Sequence, residues 1–467
     1  IFPYLLVGHS RRKPWVPAAA VPAMDESAPI LGNNARSSAV GLRPEVVQGV
    51  VCLALFIEFA DYAAFGAIGK VLEEELGVHP GDLSKIFMYE KIALAISYPV
   101  WGTLADRTQK FQLLAFVAAV WAACSLAMPF AGTYSNLVAI RLVCGVCGGC
   151  VGPLSQVMVA ATLTTEGRGK AFGALFFCST LGGLLGTSAS ISTQHMRGPF
   201  GLHGWQCIFI VLSGICGLLS ALVAWLAQWE IAPSAHEPRI PFTETFTAIL
   251  STPSIVVIIL QGIFRNAVVM SLQFVGMWVQ YLGFSDGVAS LVVAAKACGL
   301  LAGSLFAGIA SDWIAGRLPD HGRIMFGQTG DVVRSVAATF VFFSAPMLIS
   351  NNSDASGAIL LSGTLFFLGF SQPWAYVGAL RPLLSEVVPK RIIGNTFAVC
   401  KFFEDVCAAL LVGPMIGFAT RAFGYRDDDS TSAEGRAANA AALGNALLYI
   451  VNSCHAAMFL ALSLLYV

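Results

Sequence analysis

Charge is scarce in this chain. Asp, Glu, Lys and Arg make up only 12% of its 467 residues, against about 25% in an ordinary soluble domain. Basic and acidic residues number 27 each. That balance excludes the basic surface of a nucleic-acid binder and the polybasic face of a peripheral membrane protein. Long polar stretches are also few, and none of the 12 cysteines lies in one, so no disulfide framework is legible. Cys144, Cys147 and Cys150 recur at every third residue. They lack the His or second Cys pair that a zinc site wants, and they read as small packing residues. The seven histidines are scattered. With no His-rich metal box, no phosphate-binding Gly loop and no nucleophile beside a base, the sequence implies no enzyme, metal or other cofactor.

What the chain has is apolar length. It is 56% hydrophobic, with mean hydropathy +0.73. A helix crosses the hydrocarbon core with about 20 apolar residues. Twelve such runs are present, at about 46–68, 83–105, 111–131, 134–160, 168–192, 204–228, 253–281, 285–311, 329–350, 355–380, 391–420 and 440–467. The longest separator among them, 229–252, contains Pro233, Pro238 and Pro241. The chain therefore divides into a disordered cytoplasmic tail at 1–45, a six-helix half at 46–228, a cytoplasmic linker at 229–252 and a second six-helix half at 253–467. Met24-Asp25-Glu26-Ser27 reads as an ordinary start, and the last run leaves room for a carboxy tail beyond Val467.

With the amino terminus in the cytoplasm, sixteen of the 27 Lys and Arg fall on the cytoplasmic side and six on the other. This is the bias expected of a multi-pass membrane protein. The acidic clusters Glu73-Glu74-Glu75 and Asp427-Asp428-Asp429 fall on the outer side, with the sequon Asn351-Asn352-Ser353. Glu26-Ser27-Ala28-Pro29-Ile30-Leu31 resembles an acidic dileucine-type sorting signal. A plasma membrane and a lysosome- or vacuole-type membrane are the two locations in view.

One polar loop repeats. Gly102-Thr103-Leu104-Ala105-Asp106-Arg107-Thr108-Gln109-Lys110 follows the second run, and Gly308-Ile309-Ala310-Ser311-Asp312, with Arg317 behind it, follows the eighth. Asp106 and Asp312 lie 206 residues apart, near half the chain. An acidic-basic loop duplicated at matching places is the mark of a transporter built from parallel repeats.

These residues resemble the major facilitator superfamily over about 46–467. Gly102 to Lys110 matches its Gly-x-x-x-Asp-Arg-x-x-(Arg/Lys) loop. Arg141-Leu142-Val143-Cys144-Gly145, with Gly148, Gly149 and Pro153, matches its fourth-helix motif. The resemblance implies an all-α integral membrane protein with twelve transmembrane helices in two pseudo-symmetric six-helix halves. Its central cavity would be lined by the first, fourth, seventh and tenth helices. Asp106, Arg107, Asp312 and Arg141 would serve as gating or latch residues. Within the superfamily the chain is most similar to spinster-like transporters, through Phe59-Ala60-Asp61-Tyr62, Leu76-Gly77-Val78 and Arg141-x-x-x-Gly145. It departs from that pattern at Tyr62, where the pattern has Arg, and at Gly148, where it has an acid. The fifth helix carries Gly173, Gly182, Gly183 and Gly186 but lacks the Gly-Pro of the superfamily's antiporters.

A charge at mid-bilayer costs at least about 2.5–3.5 kcal/mol, so each one needs a partner or a wet cavity. Glu58 and Asp61 share a face of the first helix at i, i+3. Two such carboxylates in low dielectric suit proton coupling; the plainer alternative is that one of them pairs with Arg141. Arg265, with Gln261 a turn earlier, suits a substrate carboxylate or phosphate; the alternative is a bridge to Glu58 or Asp61 across the halves. Lys296 is a second cationic candidate. Glu90 and Lys91, being adjacent, point to different faces, on a helix that packs at the side of the bundle. Lys401 reaches Glu404 and Asp405 at i+3 and i+4, which reads as a self-contained structural cluster. Pro373 predicts a kink near Gly369, and Gln372, Trp374 and Tyr376 beyond it are candidates to face substrate or form a gate.

The sequence thus points to a secondary transporter that moves a small anionic or amphipathic organic solute by alternating access, with protons as an optional second partner. A monomer in the lipid bilayer suffices. The rival readings are an uncoupled facilitative carrier, a lysolipid or sphingolipid transporter, and a membrane sensor without turnover.

Overall fold

The computed structural model describes residues 42–68, 71–72, 76, 80–162, 167–193, 196–198, 201–230, 242–344, 355–388, 392–425 and 433–466. The dileucine-like stretch, the sequon, both acidic clusters, Gly77, Val78 and residues 231–241 of the linker lie outside the described residues.

The first half contains α1 (Pro44–Ala67), α2 (Pro80–Arg107), α3 (Lys110–Ala127), α4 (Tyr134–Thr162), α5 (Arg168–Thr193) and α6 (Gly204–Leu226). A short linker helix, α7 (Phe242–Ser251), precedes the second half. There α8 (Pro253–Ser271) and α9 (Val275–Tyr281) form one span with a 3-10 turn between them. Next come α10 (Asp286–Arg317) and α11 (Gly322–Thr339), the latter running into a π turn at 340–344. The tenth span is α12 (Ala355–Ser371), a π-helical segment Trp374–Leu380 and α13 (Arg381–Val387). The last two are α14 (Ile393–Ala422) and α15 (Ala433–Ser463). The fold is all-helical, with twelve spans in two six-helix halves.

Ten of the described helices are long and apolar enough to cross a membrane. The other two spans are α2 and α11. Charge within them explains the difference: α2 carries Glu90 and Lys91, and α11 carries Arg323, Asp331 and Arg334. The ninth span therefore starts at 322 rather than the expected 329. Arg334, counted above with the cytoplasmic residues, is instead fully buried. Arg381, counted there too, is 2% exposed inside the bundle.

Helices approach closely where side chains are smallest. Gly182 and Gly186 of α5 sit against the backbone of Phe56 and Ala60 in α1. In the second half, Gly299 and Gly303 of α10 sit against the backbone of Phe366 and Phe370 in α12. Between the halves, α5 packs on α10 and α2 packs on α14. One apolar core, containing Trp101, Val157, Leu384 and Phe397, runs across this junction.

Candidate functional site

The charges of the first half gather around Arg141. Its guanidinium donates to Asp61 Oδ2 at 2.9 Å and to Glu90 at 3.1 and 3.2 Å. Ser125 donates to the other Asp61 oxygen at 2.7 Å. The Phe65 ring lies 4.4 Å below the guanidinium. All three ionic side chains are at most 4% exposed. The close approach of α2 to α4 makes this possible, since Gly145 packs on the backbone of Glu90, where any side chain would collide. Glu58 is different: its Oε2 is buried and has no hydrogen-bond partner. It is the one charged residue lining a small apolar cavity with Ala54, Ile57, Leu114, Trp121 and Cys216. Lys91 is exposed and lies 4.3 Å over the Tyr62 ring.

The second half inverts this arrangement, with one carboxylate between two guanidinium groups. Arg381 donates to Glu404 at 2.8 and 3.1 Å and to the Tyr376 hydroxyl at 2.5 Å. Arg265 stands farther off, 3.7 Å from Glu404. Both guanidinium groups face the Tyr376 ring, at 3.9 and 4.4 Å. Nε of Arg265, Nε and Nη1 of Arg381 and both side-chain atoms of Gln261 are buried without partners. Four of these atoms are N–H donors and one, Gln261 Oε1, is an acceptor.

Asp405 ties the two halves together. It accepts from Tyr98 of α2 at 2.6 Å, from Asn266 of α8 at 2.8 Å and from Lys401 at 3.0 Å. About 16 Å nearer the end of the bundle, by helix rise, two carboxylates cap helices of the opposite half. Asp106 accepts from the backbone of Gly394 and Asn395 at 2.8 and 2.9 Å. Asp312 accepts from the backbone of Gly169 and Lys170 at 3.0 and 2.9 Å. Anionic groups at helix amino termini are stabilised there by free N–H groups and the helix dipole. Arg323 braces the second cap, bridging Asp312 at 3.1 Å and Glu386 at 3.3 Å.

The structure thus brings Asp106 and Asp312 to matching inter-half positions, with Arg107 exposed at the same end. Arg141 is not near them; it belongs to the interior with Asp61. Arg265 meets Glu404 of its own half rather than Glu58 or Asp61. The cluster of Lys401, Glu404 and Asp405 is not self-contained, because Arg381, Tyr98 and Asn266 take most of its acceptor capacity. Lys296 donates to the Leu272 carbonyl at the α8–α9 break, 3.1 Å away. The tenth span is interrupted at Gln372–Pro373, three residues past Gly369. Gln372 offers its carbonyl to Arg334 at 2.8 Å. Trp374 stacks on Phe326, with Phe306 and Phe370 beside it, while Tyr376 faces the arginines. Sequence reasoning missed Arg381, Arg334 and Tyr98. A signal for Arg334 existed in Asp331 at i−3, which it bridges at 2.8 Å.

Two six-helix halves, joined by reciprocal caps at one end and enclosing paired charges, define a multi-pass membrane carrier. The chain belongs to the Major Facilitator Superfamily, which it matches over residues 51–412, and is a transporter of small solutes. It is 26% identical over 376 residues to the multi-drug resistance efflux pump PmrA of Streptococcus pneumoniae, covering 76% of this chain and 84% of that one. It is 22% identical over 382 residues to the 3-(3-hydroxy-phenyl)propionate transporter of Escherichia coli, covering 80% and 88%. The fold matches a bacterial homologue of the iron transporter ferroportin, solved in an outward-facing state, with TM-score 0.63 and 12% identity, covering 90% of this chain and 99% of that one.

Proposed function

We propose that this protein is a secondary carrier, not an enzyme, that moves a small organic anion by alternating access with a proton as the coupled ion. The observation that carries the reading is the contrast between saturated and unsaturated charges. Asp61, Glu90 and Arg141 satisfy one another, so they hold the bundle. Glu58 and Arg265 retain buried atoms without partners. Binding a proton at Glu58 removes a desolvated charge from an apolar wall. A carboxylate at Arg265 supplies the acceptor that its Nε lacks, and Tyr376 and Gln261 stand beside it. Lys296 of α10, at the α8–α9 break, and Gln372 and Trp374 of the tenth span play supporting parts. The E. coli relative, named for an aromatic acid, supports an anionic cargo.

The spinster-like placement rests on the sequence stretches Phe59-Ala60-Asp61-Tyr62, Leu76-Gly77-Val78 and Arg141-x-x-x-Gly145. It would bring lysolipids or sphingolipids as cargo. The second carboxylate on Arg141 comes from Glu90 of α2 rather than from position 148. We place the protein in a plasma membrane or a lysosome- or vacuole-type membrane.

The test is uptake of a panel of radiolabelled aromatic and aliphatic carboxylates into proteoliposomes, with and without an inward proton gradient. The gradient should stimulate uptake. Glu58→Gln should abolish that stimulation while leaving exchange of carboxylate for carboxylate. Arg265→Gln should raise KM about ten-fold or more, the loss of one charge-assisted bond of ~1.5–3 kcal/mol. Uptake that ignores the gradient sinks the coupling, and unchanged KM in Arg265→Gln sinks the anion assignment.

A further inference from the structure

We propose that Arg334, held by Asp331, is a positioning residue that fixes the register of the π-helical segment that carries Tyr376 and leads into Arg381. The inference rests on the reading of Arg265, Arg381 and Tyr376 as the face that receives the anion.

Residues five apart on an α-helix point about 140° away from each other. Tyr376 and Arg381 are five apart, yet the guanidinium of one reaches the hydroxyl of the other. The backbone explains this: the Arg381 N–H closes on the Tyr376 carbonyl, five residues back. A ladder running i to i−5 sets such residues above one another. The π register therefore creates the pairing at the site. π segments are rare, and this one spans seven residues, so it needs support from outside the segment.

That support comes from α11. Pro373 brings no N–H to the interruption, and Arg334 Nη1 takes the Gln372 carbonyl just before it, at 2.8 Å. Gly330, one turn earlier, lies against Trp374, and Gly327 lies against Ala379. Phe326 stacks on the Trp374 ring at 5.6 Å. Arg334 is itself fully buried and anchored on Asp331 Oδ1 at 2.8 Å. Its two terminal nitrogens are taken by the Gln372 carbonyl and by Asp331, so its effect on cargo is exerted through the segment it holds.

Hydrogen–deuterium exchange on the purified protein tests this without a known cargo. In Asp331→Asn/Arg334→Leu, which removes both charges together, backbone exchange over 373–381 should speed up at least ten-fold. Exchange in α11 and α15 should stay within two-fold. Arg334→Lys keeps a donor for the Gln372 carbonyl and should recover most of the protection. For whichever carboxylate the wild type accumulates, KM should rise at least five-fold with Vmax within two-fold. Unchanged exchange over 373–381, or an equal rise through α11, α12 and α15, overturns the positioning role. If the double variant does not fold, Gly330→Ala presses on Trp374 from the same helix and is judged by the same exchange pattern. A wild type that transports no carboxylate defeats the anion reading, while the exchange experiment still decides the role of Arg334.

Discussion

Arg141 touches two carboxylates and an aromatic face, and water reaches none of these contacts. Removing one partner of a buried pair leaves the other charge uncompensated, at a cost of about 3–5 kcal/mol. Arg141→Leu should accordingly lower the thermal unfolding midpoint sharply. Asp61→Asn/Glu90→Gln/Arg141→Leu should recover most of the loss, because no charge is then stranded. A triple variant as unstable as the single one would contradict this account. Arg141→Lys should not rescue, since a point-charge ammonium cannot reproduce a fork that meets two acids. The sequence made the pairing of Arg141 with Asp61 legible as one of two options. It could not reveal Glu90, because adjacent residues face different directions and only the packing of α2 on α4 decides which one points inward.

At the scale of elements, the two caps are the clearest device. Asp106 and Asp312 each hold the first turn of a helix in the opposite half, so each bonds across the closed junction. A carboxylate at a helix amino terminus contributes about 0.3–1 kcal/mol, and more when partly buried. Asp106→Ala should therefore shift the population toward the conformer parted at this end, by about five-fold for ~1 kcal/mol. Spin labels on α2 and α14 near this end, with distances measured by pulsed resonance, would show the change. An unaltered distance distribution would remove Asp106 from the latch. The duplication of the loop was plain in the sequence. The targets of the two carboxylates were not, because a backbone N–H at a helix start carries no residue signature. Pro373 likewise announced an interruption, but not that the chain resumes in a π register.

Across the whole molecule, buried charge is distributed unequally between the halves. One cation sits between two acids in the first half, and one acid sits between two cations in the second. The Tyr98–Asp405 bond joins the two halves. Both arrangements come from a single chain. We expect light scattering in detergent to give the mass of one chain, and a mass of two chains would overturn the monomer reading. The sequence by itself determined that this chain crosses a membrane many times in two matching halves. Apolar length, the placement of Lys and Arg and a repeated loop are local, one-dimensional properties, and the bilayer requires them wherever the chain folds. Which charges are spent on one another and which keep unpartnered atoms was decided only in three dimensions. Arg334 and Arg381 look like loop residues in one dimension and prove to be interior ones. A charge finds its partner through helix rotation and the closeness of approach that small residues allow, and the order of residues along the chain specifies neither directly.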